Sequence, residues 1–230
     1  SIQFRTLRSV YNKAIKRKCV GKEYYPFEDF HINKFNVHTD KRAISKNDVL
    51  KIISADLTGK SEYVKFSRDI FVFSYLCGGI NFCDVASLTK ENILNGRLFY
   101  VRQKTGKQIN LCLTKNASAI IDKYYKGGKG FLFPILDVTR HITATQRENR
   151  LHKVLGQVDK SLKIVAQIAK VDVNLTTYVA RHSYATVLKR SGVPTSIICE
   201  SLGHSSERVT QIYLDSFENE QIDEAMKNLL

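Results

Sequence analysis

Between Thr176 and Leu214 the chain reads TTYVARHSYATVLKRSGVPTSIICESLGHSSERVTQIYL, and this stretch limits the fold more than any other. It opens like a helix, with Tyr178 and Arg181 three residues apart and so on one face. Leu202-Gly203-His204 reads as a helix stop, because glycine enters the left-handed region without a Cβ penalty. Ser205-Ser206 then opens a short helix that carries Val209 and Tyr213 four residues apart.

The upstream chain is mostly helical by the same kind of reading. Residues 1–18 set Leu7, Val10, Tyr11, Ala14 and Ile15 at helical spacing among six basic residues, and Gly21 stops that helix. Pro26 and weak periodicity make 21–40 an extended linker. Ser45 caps a helix through Asp48 to Ser54, and 61–77 forms a long apolar helix ended by Gly78-Gly79. Asn81 to Leu88 is a short helical turn with Phe82, Val85 and Leu88 inward. Leu98–Val101 and Ile109–Leu113 are strand-like, with a turn around Thr105-Gly106 and Lys104 near its tip. Residues 114–126 and 146–170 are helical, the latter with Leu151, Val154, Leu155, Val158, Leu162, Val165 and Ile168 on one stripe. The expected fold class is mostly α with one small antiparallel sheet (α+β), divided at 1–20, 21–40, 41–217 and 218–230.

Charge narrows the partner. The net charge is +14, but residues 214–230 alone carry −4, so the remainder carries +18. A polyanion, most commonly nucleic acid, fits that surface, as does a solvated basic surface with no partner. No apolar run approaches the ~20 residues that span a bilayer, so no membrane role is expected. The five cysteines form no CxxC pair, which fits inert thiols in a reducing cytoplasm and no metal site. The chain begins at Ser1, inside the first helical pattern, as a fragment of a longer protein would.

Displacement at a phosphodiester needs a nucleophile, positive charge on the non-bridging oxygens, an acid for the departing oxygen, and positioning. Tyr213, Arg181, Lys104 and His204 supply these types in one chain. Singly, each also reads as an ordinary core or surface residue. Together, ArgHisSerTyrAlaThr at 181–186, LeuGlyHisSer at 202–205 and Tyr213 nine residues after His204 resemble the C-terminal signature of the tyrosine recombinases of phage-integrase type. GlyIleAsnPheCysAspValAlaSerLeu at 79–88 is similar to that family's first motif, and ArgGlnLysThrGly at 102–106 to its lysine hairpin. The Phe82-Cys83-Asp84-Val85-Ala86 pattern resembles integrases of Bacteroides-type mobile elements in particular.

The resemblance implies a tyrosine recombinase catalytic domain over 41–217. Residues 1–20 become the last helix of a core-binding domain, and 218–230 a tail helix that either docks on a neighbouring protomer or folds back on its own domain. It implies that Tyr213 attacks the scissile phosphate, that Arg181 holds its non-bridging oxygens, that Lys104 protonates the leaving 5′-oxygen and that His204 hydrogen-bonds the phosphate. Tyr178 stands where the family has a His or Lys, and takes a positioning role. Arg17, Lys18, Lys107 and His182 are expected on DNA. The resemblance narrows the expected partner to double-stranded DNA. No cofactor is required, and a tetramer on DNA is expected in a bacterial cytoplasm, with room for a DNA-bending helper.

One departure stands out. The family's first motif carries an arginine, yet the usual position here is Asn81 and the alternative position is Gly78. Either another arginine reaches in, with Arg68 on the preceding helix as the candidate, or the site works with one, or it is impaired. The rival readings are a DNA-binding protein with an impaired site, a type IB topoisomerase and, more distantly, a phosphotyrosyl hydrolase.

Overall fold

The structure is a computed structural model and describes residues 2–30, 43–128, 130–211 and 214. It divides into two compact units, 1–40 and 41–230. In the first, α1 (Ile2–Lys16) ends at Lys18, whose φ of 57° turns the chain out of the helix. The described part of 21–40 differs from an extended linker. A 3-10 turn at Lys22–Tyr24 sends the chain back, and Phe27 is buried against Tyr11, Tyr25 and Phe30. The aromatic side chains there outweigh the breaker signal of Pro26.

The second unit is mostly α with one small antiparallel sheet. Its helices start where side-chain oxygens can take up orphan amides. Ser45 caps α2 (Lys46–Ser54) through the Asp48 N–H, and Ser61 caps α3 (Glu62–Leu76) through the Val64 N–H. Thr114 caps α5 (Lys115–Tyr124), and Thr143 forms a capping box with Gln146 at the start of α6 (Ala144–Ile168). α3 is buried on several sides through Phe66, Ile70, Phe71 and Phe73, so it serves as the central rod. α6 packs against it with Val154, Val158, Leu162 and Val165, four positions of the predicted stripe. α7 (Thr177–Arg190) packs on another side of the same rod and buries Val179, Ala180, Arg181 and Ser183.

Beyond α3, Gly78 and Gly79 both take positive φ, and α4 (Phe82–Ser87) follows. The sheet has three strands in the order β1 (Ile93–Leu94), β2 (Arg97–Val101) and β3 (Gln108–Cys112). Leu98 pairs with Leu111 and Tyr100 with Ile109. Inward Leu98, Tyr100 and Ile109 fix the buried face. The first strand is an addition to the expected hairpin. Two short helices, α8 (Thr195–Ser201) and α9 (Glu207–Gln211), complete the described chain, and Leu214 is buried beside Ala185, Ile198 and Leu202. The predicted tail helix and Tyr213 lie outside the described residues.

Candidate active site

The site is built around the end of α8. Gly203, with φ of 62°, closes that helix with two backbone bonds: Gly203 N–H to the Glu200 carbonyl (2.9 Å) and His204 N–H to the Cys199 carbonyl (3.1 Å). The turn leaves the carbonyls of Leu202 and Gly203 available as acceptors. Each holds one arginine. Arg181 donates from Nη2 to Leu202 O and from Nη1 to Gly79 O (2.8 Å), while Arg102 donates from Nη1 to Gly203 O (2.8 Å). Thr105 Oγ1 donates to the same Gly203 oxygen at 3.1 Å.

Arg181 is the largest fully buried side chain among the described residues. The helix pair α3–α7 can hold it because Gly79 has no side chain: a Cβ there would stand 2.8 Å from the Arg181 Cα. Gly78 is closed to a long side chain. Its φ is 71°, and a Cβ would meet Leu111 Cδ1 at 2.7 Å. Asn81 precedes α4 and lines an open cavity of about 660 Å³ with Gln103, Leu151 and Tyr178. Neither position therefore brings a guanidinium to the cluster.

His204 is buried, and its ring is oriented from both sides. Nε2 lies 3.0 Å from Arg181 Nη2, and Nδ1 lies 2.9 Å from Thr210 Oγ1. A guanidinium can only donate, so Nε2 is the acceptor and Nδ1 carries the proton. Burial pushes the imidazole pKa down to about 4, helped by Arg181, Arg102, Lys104 and Lys107. The ring is neutral at neutral pH.

Lys104 and Lys107 are exposed in the β2–β3 turn, and their charges act on His204. That turn is tied by Arg102 N–H to Lys107 O (2.8 Å) and Gly106 N–H to Arg102 O (2.8 Å). Tyr178 is partly exposed and meets the His182 ring edge to face at 4.7 Å. Arg17 and Lys18 are exposed in the other unit. Arg68 is not brought to the cluster. Its Nε donates to Asp69 (2.8 Å) and its Nη1 to the carbonyls of Ile53 and Ala55, so it closes the end of α2.

Two site residues escaped the sequence reading. Asp84 is buried near both arginines, accepts the Gln103 N–H at 3.0 Å, and has its carboxyl pKa raised by burial. Arg102 is 4% exposed. A signal for it existed: in a strand, alternate residues share a face, so inward Leu98 and Tyr100 are followed by inward Arg102. Among the described residues no group of His, Cys, Asp and Glu is placed to hold a metal ion, and no helix is long and apolar enough to cross a membrane.

The model of the phage integrase family matches residues 42–220. The tyrosine recombinase XerA of Pyrococcus horikoshii is 26% identical over 201 residues, covering 84% of this chain and 65% of the relative. The tyrosine recombinase XerS of Streptococcus pyogenes is 25% identical over 171 residues, covering 70% of this chain and 45% of the relative. The chain thus spans less than two thirds of either curated relative. Among solved structures, a lambda integrase dimer bound to a COC′ core site shares the fold with a TM-score of 0.63 at 16% identity, covering 93% of this chain and 74% of that one. The Tn1549 transposon integrase bound to circular intermediate DNA has a TM-score of 0.62 at 16% identity, covering 97% and 77%.

Proposed function

This chain belongs to the phage integrase family, and from that premise we propose that it breaks and rejoins DNA at specific sites as a tyrosine recombinase. The observation that carries the reading is the buried Arg181, held by two main-chain carbonyls and by a neutral His204 on which Lys104 and Lys107 act. A fixed guanidinium with lysines beside it suits a phosphodiester, whose charge grows as a fifth oxygen approaches. In this reading Tyr213 Oη bonds the phosphorus and loses its proton to solvent, and the bond from phosphorus to the 5′-oxygen breaks. Lys104 gives that oxygen a proton. The product is a 3′-phosphotyrosyl link and a free 5′-hydroxyl, and a second strand's hydroxyl reverses the step. The link conserves the bond energy, so no nucleotide is consumed.

His204 acts on this step through Arg181, whose fork it keeps aimed. Tyr178 and His182 form an aromatic edge that positions DNA, and Lys107, Arg17 and Lys18 contact phosphates. Such contacts make affinity fall steeply with salt. The lambda integrase tetramer bound to a Holliday junction supports a tetramer on DNA for this chain too. The Phe82-Cys83-Asp84-Val85-Ala86 pattern supports an integrase of a Bacteroides-type mobile element, acting in a bacterial cytoplasm. The absence of arginine at Asn81 and Gly78 favours one second reading, a DNA-binding relative with an impaired site.

Covalent trapping separates the two. Nicked duplexes from the element's ends are incubated with the protein and run on a denaturing gel. Wild type gives a shifted band and Tyr213→Phe gives none. Tight binding by wild type without a band would leave the impaired reading.

A further inference from the structure

Arg102 is a buried cation whose partners inside the protein are incomplete. Its side chain is 4% exposed, Nη1 donates to Gly203 O, and the buried Nε has no acceptor. Among the described residues it makes no ion pair. Asp84 is near enough for its charge to act, yet its Oδ1 takes the Gln103 N–H and neither oxygen bonds Arg102 directly. Burying a guanidinium with no direct ion pair, and with a donor unmade, is costly even with a carboxylate nearby. A fold carries such a group where an anion completes it.

The placement identifies the anion. Leu202 and Gly203 offer consecutive carbonyls, one to Arg181 and one to Arg102, so a single turn sets two guanidiniums beside His204. Gly203 is what admits the second. A Cβ there would stand 3.2 Å from Arg102 Cδ and 2.9 Å from Ile109 Cδ1. Arg102 also begins the turn that carries Lys104. The first-motif positions hold no guanidinium, and Arg68 is held at the end of α2.

We propose that Arg102 is the second phosphate-binding arginine of this site, giving the donors not used on Gly203 to a non-bridging oxygen of the scissile phosphate. The inference rests on the recombinase reading and deepens it. The charge that the first motif lacks enters from the end of β2, on the same hairpin as Lys104.

The test uses two nicked duplexes, one with the normal scissile phosphate and one with a neutral methylphosphonate there. Cleavage is timed for wild type, Arg102→Ala and Arg102→Lys, with binding and melting measured alongside. On the phosphodiester, Arg102→Ala is expected to slow cleavage roughly a hundredfold and Arg102→Lys to recover part of that loss. On the methylphosphonate there is less charge to stabilise, and the gap between wild type and Arg102→Ala should shrink to about fivefold or less. An Arg102→Ala rate near wild type on the phosphodiester overturns the inference and leaves the recombinase reading intact. An equal loss on both duplexes also overturns it, because that marks a structural role. Wild type that cleaves neither duplex sinks the recombinase reading, and this inference with it.

Discussion

Asp69 and Arg102 are both charged side chains with less than a tenth of their surface exposed, yet their surroundings differ in kind. Asp69 is closed: Arg68 Nε at 2.8 Å, Lys123 Nζ at 2.7 Å and Tyr124 Oη at 2.7 Å fill its oxygens. Among the described residues Arg102 is open: one carbonyl, no carboxylate in an ion pair, and an Nε with nothing to donate to. The closed cluster ties α3 to α5 and is complete without any ligand. The open one has charge left over on the side of His204 and Lys104. Burial of charge alone therefore does not mark a site; burial of charge that the protein leaves uncompensated does.

The widest separation should come from removing one member of each cluster. Asp69→Ala strands Lys123 and Arg68 without their counter-ion, at a cost of about 3 kcal/mol. For a domain of this size that lowers the melting temperature by roughly 6–12 °C. Cleavage per folded molecule should stay at the wild-type rate. Arg102→Gln removes an uncompensated cation instead, so its melting temperature should hold or rise. Thermal melts of both variants, with active-site titration, check the pair. A fall for Arg102→Gln as large as that for Asp69→Ala would break the distinction.

A smaller effect sharpens it at a glycine. Gly79→Ala forces a Cβ to within 2.8 Å of the Arg181 Cα at a φ of 65°, so strain and a displaced Arg181 come together. We expect about 2 kcal/mol of destabilisation with slower cleavage. Gly59 has a similar φ of 74° but open space around it, so Gly59→Ala should cost about 1 kcal/mol and leave cleavage alone. Equal cleavage by the two variants would mean that the α3–α7 approach does not hold Arg181 in place.

These contrasts also show what the sequence could carry. Ser45, Ser61 and the Gly78-Gly79 pair punctuate the chain through local chemistry, so the helices they bound were legible. The stripe on α6 follows from spacing alone. Partners were harder. Gly203 reads as a helix stop, but nothing local says that the carbonyls around it hold two arginines from elements about 20 and 100 residues away. Arg68 looked available because spacing gives a face and not the acceptors waiting there, which are the last carbonyls of α2. Strand β1 is two residues long and shows no alternation, though Asn95-Gly96, with φ of 49° and 71°, carries a hairpin turn signal. Arg102 was predictable from the inward face of β2, provided that charge is not assumed to point outward.

The smallest expected effect is a flat line. With its pKa pushed down to about 4 by burial and by four nearby cations, His204 stays neutral from pH 8 to well below 6. Cleavage across pH 6–8 should therefore show no inflection from this ring, unlike a histidine at the ordinary value near 6.5. Stability carries the sign. Above pH 6.5 folded and unfolded chains both hold the ring neutral, and the contribution is fully present. As pH falls from 6.5 toward 4 the unfolded chain takes up a proton that the folded chain refuses, and stability drops. Urea melts between pH 4 and 8, compared with those of His204→Gln, isolate the term, and NMR titration of the ring carbon gives the pKa directly. A midpoint near 6.5 for His204 would mean that the ring is not held against Arg181, and the site would have to be redrawn with a protonated imidazole facing the phosphate.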